Sequence, residues 1–171
     1  METIFLIGPS GVGKTKLAQK VLQFSDNVKV VDLDNEIKKA FPTIYFMAYQ
    51  NWERFWEASI RCIQENQTDN ERQFLIVDVG AGSLQSRRAP EFFKNQKTVL
   101  VFDTPENTLR KIQTRPDSHW VGRSVADFTA VEYSPNRRMI YAVASHRIDV
   151  GTCSLREAAM NLLDFLKKLN G

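Results

Sequence analysis

The sequence predicts an α/β fold of three layers, in which a five-stranded parallel sheet carries helices on both faces. Two apolar runs, at 74–78 (FLIVD) and 98–102 (TVLVF), are continuously apolar rather than alternating, which is typical of strands buried on both faces. Three shorter apolar runs, at 3–7, 28–32 and 148–150, complete the set. Helical patterns separate these runs, and such alternation favours a parallel sheet.

The helices are predicted from their start signals and their apolar spacing. Thr104-Pro105 and Ser134-Pro135 each place a capping residue before a proline, the usual start of a helix. Ser154 and Glu157 form a capping box before an apolar stripe. Aromatic residues at three- and four-residue steps predict one continuous helix from Tyr45 to about Gln64. The remaining helices are expected at 14–24 and at 34–41, where Pro42 ends the second.

Composition restricts the classes of function. The 171 residues, 43% hydrophobic and 25% charged, predict one globular domain spanning 1–171. A net charge of +3 indicates a local site for a small anion rather than a nucleic-acid surface. No apolar run reaches the length of a membrane span, so we expect no membrane association. The first apolar run is short and lacks a basic leader, so we expect no secretory signal and a cytoplasmic location.

The most specific motif lies between the first strand and the first helix. Gly8-x-x-x-x-Gly13-Lys14-Thr15 matches the phosphate-binding loop, whose backbone N–H groups surround a phosphate at a helix N-terminus. Lys14 is expected to reach the β- and γ-phosphates, and the Thr15 hydroxyl is expected to bind Mg²⁺. The nucleotide contacts are assigned to Gly8, Pro9, Ser10, Gly11, Val12, Gly13, Lys14 and Thr15. No Asn-Lys-x-Asp motif for guanine is present.

Three carboxylates follow the strands that should end beside this loop. Asp32 and Asp34 close the second strand, and side-chain alternation would point both toward the phosphates. One would lie near Mg²⁺ and the other would orient a hydroxyl or accept its proton. The alternative is that one of them only caps the next helix, with Asp34 as the N-cap. Asp78 ends the apolar strand that often carries a magnesium carboxylate, or it accepts hydrogen bonds from loop N–H groups.

These residues give the chain a resemblance to the shikimate kinase family of small phosphate-loop kinases with the nucleoside-monophosphate-kinase-like fold. The resemblance covers nearly the whole sequence. It rests on the loop with Lys14-Thr15, Asp32-x-Asp34, Gly80-Ala81-Gly82, Arg115-Pro116 and Arg137-x-x-x-Tyr141. It implies ATP and Mg²⁺ as cofactors, a monomer, a small helical substrate-binding region at about 34–66 and a lid at about 114–124.

The resemblance also implies roles for single residues. Asp34 would contact the hydroxyls of the acceptor, Asp32 would lie near the metal, and Arg115 would reach the transferred phosphate. With the loop motif, these roles make catalysis depend on Lys14, Asp32, Asp34 and Arg115, and metal binding on Thr15 and Asp32. Asp78 joins the metal ligands from the strand-end pattern alone, because the family usually has a small uncharged residue at that position. Arg110 would pack on the adenine. The acceptor would be held by the backbone of Gly80, Ala81 and Gly82 and by a carboxylate contact from Arg137, or from Arg138 if the helix register differs by one residue.

Two departures concern the acceptor. Ala81 replaces the middle glycine of the family's triplet, and Phe55-Trp56 stands where the family has Phe-Arg, so that an indole replaces a cation. Trp56 or Tyr49 would either lie against a ring-shaped acceptor or pack in the core. Shikimate is the leading acceptor by resemblance. The alternatives are another hydroxylated small molecule or a catalytically weak ATP-binding regulatory domain.

Overall fold

A computed structural model describes residues 1–68 and 72–169, and within them the chain forms one five-stranded parallel sheet. The strands are β1 (Glu2–Ile7), β2 (Val28–Asp32), β3 (Phe74–Asp78), β4 (Lys97–Phe102) and β5 (His146–Asp149). The helices are α1 (Lys14–Leu22), α2 (Leu33–Ala40), α3 (Pro42–Phe46), α4 (Trp52–Asn66), α5 (Ala89–Lys94), α6 (Pro105–Gln113), α7 (Val125–Glu132), α8 (Pro135–Ala142) and α9 (Leu155–Leu169). Short 3₁₀ turns lie at Ala48–Gln50 and Ser83–Gln85.

The strand order β2-β3-β1-β4-β5 places β1, which leads into the glycine loop, at the centre of the sheet. In the register, Leu6 and Asp32 both lie beside Asp78, so the three strands end at the same level. The carboxyl ends of parallel strands form the ligand crevice of open α/β sheets. The predicted fold class is confirmed, and the loop and two of its predicted carboxylates lie at this edge.

Separate apolar clusters cover the two faces of the sheet. On one face, α1 and α9 pack on the strands through residues such as Leu17, Val21 and Leu162. On the other face, α2, α4, α5 and α8 enclose Phe5, Phe55 and Phe93. A third, smaller cluster joins α6 to α7 through Leu109, Ile112, Trp120 and Phe128. The continuously apolar strands are therefore buried on both sides, as their sequence predicts.

The predicted continuous helix over 45–64 is wrong. Tyr45 belongs to the short α3, which Pro42 begins, and α4 starts only at Trp52. The Asn51 side chain accepts a hydrogen bond of 3.0 Å from the Arg54 N–H and caps α4. An N-cap residue takes an extended backbone, and Asn51, with φ of −157°, therefore interrupts the helix.

Helix α7 was not predicted, although the sequence contains a start signal for it. Ser124 and Asp127 form a capping box, with each side chain bonded to the other residue's backbone N–H. The stripe behind it is too weakly amphipathic to indicate a helix. Among residues 1–68 and 72–169, no helix is long and apolar enough to cross a membrane.

Candidate functional site

A cavity of about 270 Å³, which we call the phosphate cavity, opens at the carboxyl ends of β1, β2 and β3. It brings together residues that are widely spaced in the sequence. Its polar lining includes Lys14, Thr15, Asp32, Asp34, Asp78 and Arg115, all of which the sequence assigned to one site. Lys16, which the sequence analysis passed over, lines it as well. The cavity thus collects three carboxylates and three cations around the glycine loop.

The glycine loop positions Lys14. Gly13 has a φ of 113° and is the N-cap of α1, a backbone conformation that only glycine adopts without strain. The helix therefore begins at Lys14 itself, which is buried. Its Nζ donates hydrogen bonds to the carbonyls of Gly8, at 3.1 Å, and Pro9, at 3.3 Å. The buried ammonium of Lys14 is thus held against the start of the glycine loop.

Thr15 and Asp78 form the second contact of the cavity. The Thr15 hydroxyl donates to Oδ2 of Asp78 at 2.5 Å, linking the start of α1 to the end of β3. Burial raises the pKa of Asp78, while the charge of Lys14 and this hydrogen bond act in the opposite direction. A hydroxyl and a carboxylate in contact are two of the oxygen ligands that Mg²⁺ prefers.

Asp32 and Asp34 were expected to point to the same side because side chains alternate along a strand, and this explanation is wrong. β2 ends at Asp32, and Asp34 lies in the first turn of α2. The N-cap is Asp32, whose Oδ1 accepts from the Asn35 N–H at 3.1 Å, and not Asp34. Both carboxylates nevertheless line the phosphate cavity, because the strand turns directly into the helix there.

The carboxylate of Asp34 is held in a buried, crowded position. It lies beside Gly80, where an added Cβ would overlap with Oδ1, so a side chain at position 80 would force Asp34 to move. Oδ1 of Asp34 is buried and has no hydrogen-bond partner among the described residues. Burial, followed by the charge of Asp32, raises the pKa of Asp34 to about 6. A carboxylate with a free lone pair and a pKa near neutrality suits a general base.

A second cavity of about 660 Å³ lies beside the first. Ser10 and Ala81 line both, so the two spaces meet at the glycine loop and the Gly80-Ala81-Gly82 turn. Its walls come from the start of α4, from the segment 119–123 and from α7 and α8. Its largest lining side chains are Trp52, Trp120, Arg123, Glu132 and Arg137.

Arg137 lies in this second cavity, but its guanidinium is not free. Nη1 forms an ion pair with Oε2 of Glu132, and Nη2 donates to the carbonyl of Ala81 at 3.2 Å. The side chains of both Arg137 and Glu132 are only 2% exposed. Oε2 of Glu132 also accepts from the N–H of Ser10 in the glycine loop, at 2.9 Å. The expectation of a guanidinium open to an acceptor carboxylate is therefore not met.

Glu132 is a site residue that the sequence reasoning missed. It closes α7, and the residue to which it binds in the glycine loop lies 122 positions away in the sequence. No local spacing indicates such a contact. The only available signal was an acidic residue shortly before Arg137, on an element whose start was overlooked.

Trp56 lies in the core rather than in a cavity. It is 2% exposed and packs edge-to-face on Phe92 and Phe93, at ring distances of 5.2 and 6.0 Å. Of the two alternatives for Trp56, the structure matches packing in the core, and it is Trp52, one turn earlier, that lines the second cavity. Tyr49 is 71% exposed and lines neither of the two cavities.

Two predicted arginines lie outside the lining of both cavities. Arg138 is exposed on α8, so the alternative register for the carboxylate contact does not apply. Arg110 is exposed on α6 and bonds to the Oδ1 of Asn107. Gly82 lines the second cavity, and Gly80 lines the first.

Comparisons of sequence relate this chain to known proteins. The model of the family described as AAA domain matches residues 4–124. A shikimate kinase of Pelotomaculum thermopropionicum is 23% identical over 173 residues, covering 99% of this chain and 98% of the relative. A shikimate kinase of Staphylococcus aureus is 25% identical over 172 residues, covering 96% of this chain and 93% of the relative.

Solved structures share the fold. A shikimate kinase of Bacteroides thetaiotaomicron superposes with a TM-score of 0.74 at 20% identity, covering 97% of this chain and 98% of that one. A shikimate kinase of Acinetobacter baumannii in complex with shikimate gives a TM-score of 0.69 at 18% identity, covering 98% and 94%. The chain therefore belongs to the AAA domain family, has the fold of the phosphate-loop kinases and resembles the shikimate kinases over nearly its whole length.

Proposed function

We propose that the protein is an ATP-dependent kinase that transfers the γ-phosphate to a hydroxyl group of a small molecule. The observation that carries this proposal is the phosphate cavity, where Lys14, Arg115 and Asp34 converge beside the glycine loop. Phosphoryl transfer needs little covalent chemistry from the protein and depends on positioning and on stabilising negative charge. A cavity lined by both cations and carboxylates can supply both.

The loop and its lysine would bind the nucleotide. The ammonium of Lys14 would exchange the carbonyls of Gly8 and Pro9 for phosphate oxygens, which are stronger acceptors because they are charged. Arg115 follows the last turn of α6 and reaches the same cavity, where it would neutralise charge on the transferred group. We assign the adenine to the surface beside Arg110 and the role of a lid to 114–124.

The donor set fits Mg²⁺. The Thr15 hydroxyl and the carboxylates of Asp78 and Asp32 lie at the phosphate cavity. Among residues 1–68 and 72–169, no group of three or more His, Cys, Asp and Glu side chains forms a complete metal cage. Mg²⁺ bound with a nucleotide needs only one or two protein ligands, because phosphate oxygens and water complete its shell. When bound, Mg²⁺ would neutralise charge on the phosphates.

Asp34 would orient the acceptor. Its unpartnered Oδ1 would accept a hydrogen bond from the hydroxyl and take the proton as the phosphate transfers. The bond that forms joins the acceptor oxygen to phosphorus, and the bond that breaks releases ADP. This carboxylate lies beside Gly80, the first residue of the turn that links the two cavities.

There are two candidates for the acceptor molecule. The resemblance favours shikimate, the ligand named for the Acinetobacter baumannii structure and the substrate in the names of the relatives. A different hydroxylated molecule is favoured by the ion pair between Arg137 and Glu132, because that pair occupies the cation expected to bind a carboxylate.

ADP release from Mg·ATP, measured with and without candidate acceptors, tests the proposal. We expect an acceptor to raise turnover to about 1–100 s⁻¹, and we expect Lys14→Ala and Asp34→Asn to abolish that increase. Lys20→Ala is the matched control, because Lys20 lies on the same helix and bonds to Gln23 outside the cavity. A wide panel of hydroxy acids, amino acids and sugars that gives no stimulation would favour the regulatory domain instead.

A further inference from the structure

Among the described residues, cationic and acidic side chains are equal in number in the lining of the second cavity. The ionised side chains that line it in the described part of the chain are two cations, Arg123 and Arg137, and two acids, Asp127 and Glu132. A pocket for an anionic ligand normally presents a cation that has no protein counter-charge. The second cavity has no more cations than carboxylates in its described lining.

Arg137 is neutralised by a partner that cannot easily leave. Glu132 binds both Arg137 and the Ser10 N–H through the same oxygen, Oε2, and both charged side chains are buried. Nη1 and Nη2 of Arg137 are engaged, while its buried Nε has no hydrogen-bond partner among the described residues, so a carboxylate that binds at Nη1 would have to displace Glu132. That step would leave a buried charge and a loop N–H without partners, which is strongly unfavourable.

Arg123 is compensated more loosely. Asp127 accepts hydrogen bonds from the hydroxyl and the backbone N–H of Ser124, and these bonds, together with the nearby charge of Arg123, hold the pKa of Asp127 below its usual value. Asp127 therefore stays ionised near neutral pH and offsets Arg123. Arg123 and Asp127 are both exposed, so solvent screens whatever attraction remains for an anion.

Much of the remaining lining is apolar, and its polar members are Ser10, Gln85 and His119. Trp52, which is half-buried, and Trp120, which is only 3% exposed, both line the cavity, and Ala130 and Val131 add a small apolar wall from α7. Trp120 is fixed against Phe128, at a ring distance of 5.0 Å. The cavity volume of about 660 Å³ lies within the range of about 300–1,000 Å³ that is typical of small-molecule sites.

We infer that the acceptor is an uncharged alcohol with a ring or another apolar face, bound between Trp52 and Trp120 with its hydroxyl at the Ala81 turn beside Asp34. This inference rests on the proposed kinase function and narrows its acceptor. Ser10 and Ala81 line both cavities, so a molecule in the second can present a hydroxyl to the first. The charge balance disfavours carboxylates, and the indoles favour an apolar surface.

Three ligands that differ only in one group test the inference: shikimate, its methyl ester and its benzyl ester. Each is titrated into the wild-type protein with Mg·ADP present, and binding is read by calorimetry. We expect the methyl ester to bind at least about tenfold more tightly than shikimate, and the benzyl ester to bind more tightly again. Equal or tighter binding of shikimate, or no binding of either ester, overturns the inference.

Two variants test the cause of the preference. Glu132→Gln frees Arg137, and we expect shikimate to gain at least about tenfold in affinity while the esters change little. The double variant Glu132→Gln/Arg137→Gln removes both buried charges, so folding does not depend on an unpaired cation, and it should keep the wild-type preference for the esters. Tight shikimate binding by the double variant would contradict the assigned cause.

The outcome is separable from that of the proposed function. The affinities for the esters and for shikimate decide the inference whether or not phosphate is transferred. ADP release and Mg·ADP binding decide the kinase function. Wild-type protein that phosphorylates shikimate at the usual kinase rate supports the function and overturns the inference.

Discussion

The two cavities that meet at Ala81 differ in how their charged groups are paired, although each has a buried polar atom without a partner among the described residues, Oδ1 of Asp34 in the first and Nε of Arg137 in the second. The phosphate cavity holds an ammonium bonded only to loop carbonyls and a buried carboxylate oxygen with no partner among the described residues. In the second cavity, the buried Arg137 and Glu132 neutralise each other. A site built for a charged ligand keeps its charges available, whereas a site built for an uncharged one pairs them internally.

This difference separates a nucleotide side, which follows the resemblance to the shikimate kinases, from an acceptor side, which does not. The glycine loop, Thr15 with Asp78, and Arg115 are arranged as the sequence motifs predict. The acceptor side departs from it, because Trp56 is in the core and Arg137 is paired. Substitutions on the two sides should therefore have different consequences.

The largest effect is expected from Lys14→Ala. Removing the buried ammonium takes away charge stabilisation of the transferred phosphate, and we expect kcat to fall by roughly 10³-fold or more. The measurement is ADP release at saturating acceptor, with Lys20→Ala as the control. Retention of more than about a tenth of the wild-type rate would break the assignment of the phosphate cavity.

Trp56 and Trp52 are one helical turn apart, but they differ in burial. Trp56→Ala removes a ring packed on Phe92 and Phe93, so we expect the free energy of unfolding to fall by about 3–5 kcal/mol in denaturant titration. Trp52→Ala should cost less stability, because Trp52 is only half-buried, but it should weaken acceptor binding. Equal losses of stability in the two variants would remove the distinction between core and cavity.

Arg115→Ala should act on the rate rather than on the fold. Arg115 is exposed on its solvent side and reaches the phosphate cavity, so we expect kcat to fall by about 10²–10³-fold with the unfolding transition unchanged. Arg138→Ala, an exposed arginine that lines neither of the two cavities, is the matched control and should retain full activity. A comparable loss in both variants would indicate a general charge effect.

The smallest effect concerns stability and pH in metal-free solution. The pKa of Asp34 is raised from 3.8 to about 6 in the folded protein, so between these values the folded state holds a proton that the unfolded chain releases. The raised pKa of Asp34 therefore adds to the free energy of unfolding in full below about pH 4, and this contribution is lost as the pH rises through 6. Asp34→Asn should raise the free energy of unfolding at pH 7 by about 1–3 kcal/mol.

Denaturant titrations of that variant from pH 4 to pH 8, with chelator present, measure this effect. The gain should shrink toward zero at the acid end. Asp117→Asn, an exposed carboxylate at the start of the lid segment, should show no such dependence. A constant difference between Asp34→Asn and the wild type across the range would refute the account of buried charge.

The sequence predicted what local patterns determine. The parallel sheet followed from apolar runs, and the phosphate cavity followed from a loop of eight residues and the strand ends beside it. The route by which Asp34 reaches the site was predicted wrongly, since an N-cap at Asp32 replaces strand alternation. The acceptor side escaped prediction because it depends on contacts between distant residues, such as Glu132 with Ser10, and on which tryptophan of a stripe faces the sheet.

Titration of one protein sample with Mg·ADP and then with shikimate tests the central claim most directly. The claim is that the phosphate cavity binds a nucleotide, whereas the second cavity does not bind a carboxylate. We predict that Mg·ADP saturates the protein within the range of about 1 μM–1 mM usual for enzyme substrates, and that shikimate does not. Saturable shikimate binding in that range, or no binding of Mg·ADP, would contradict the account.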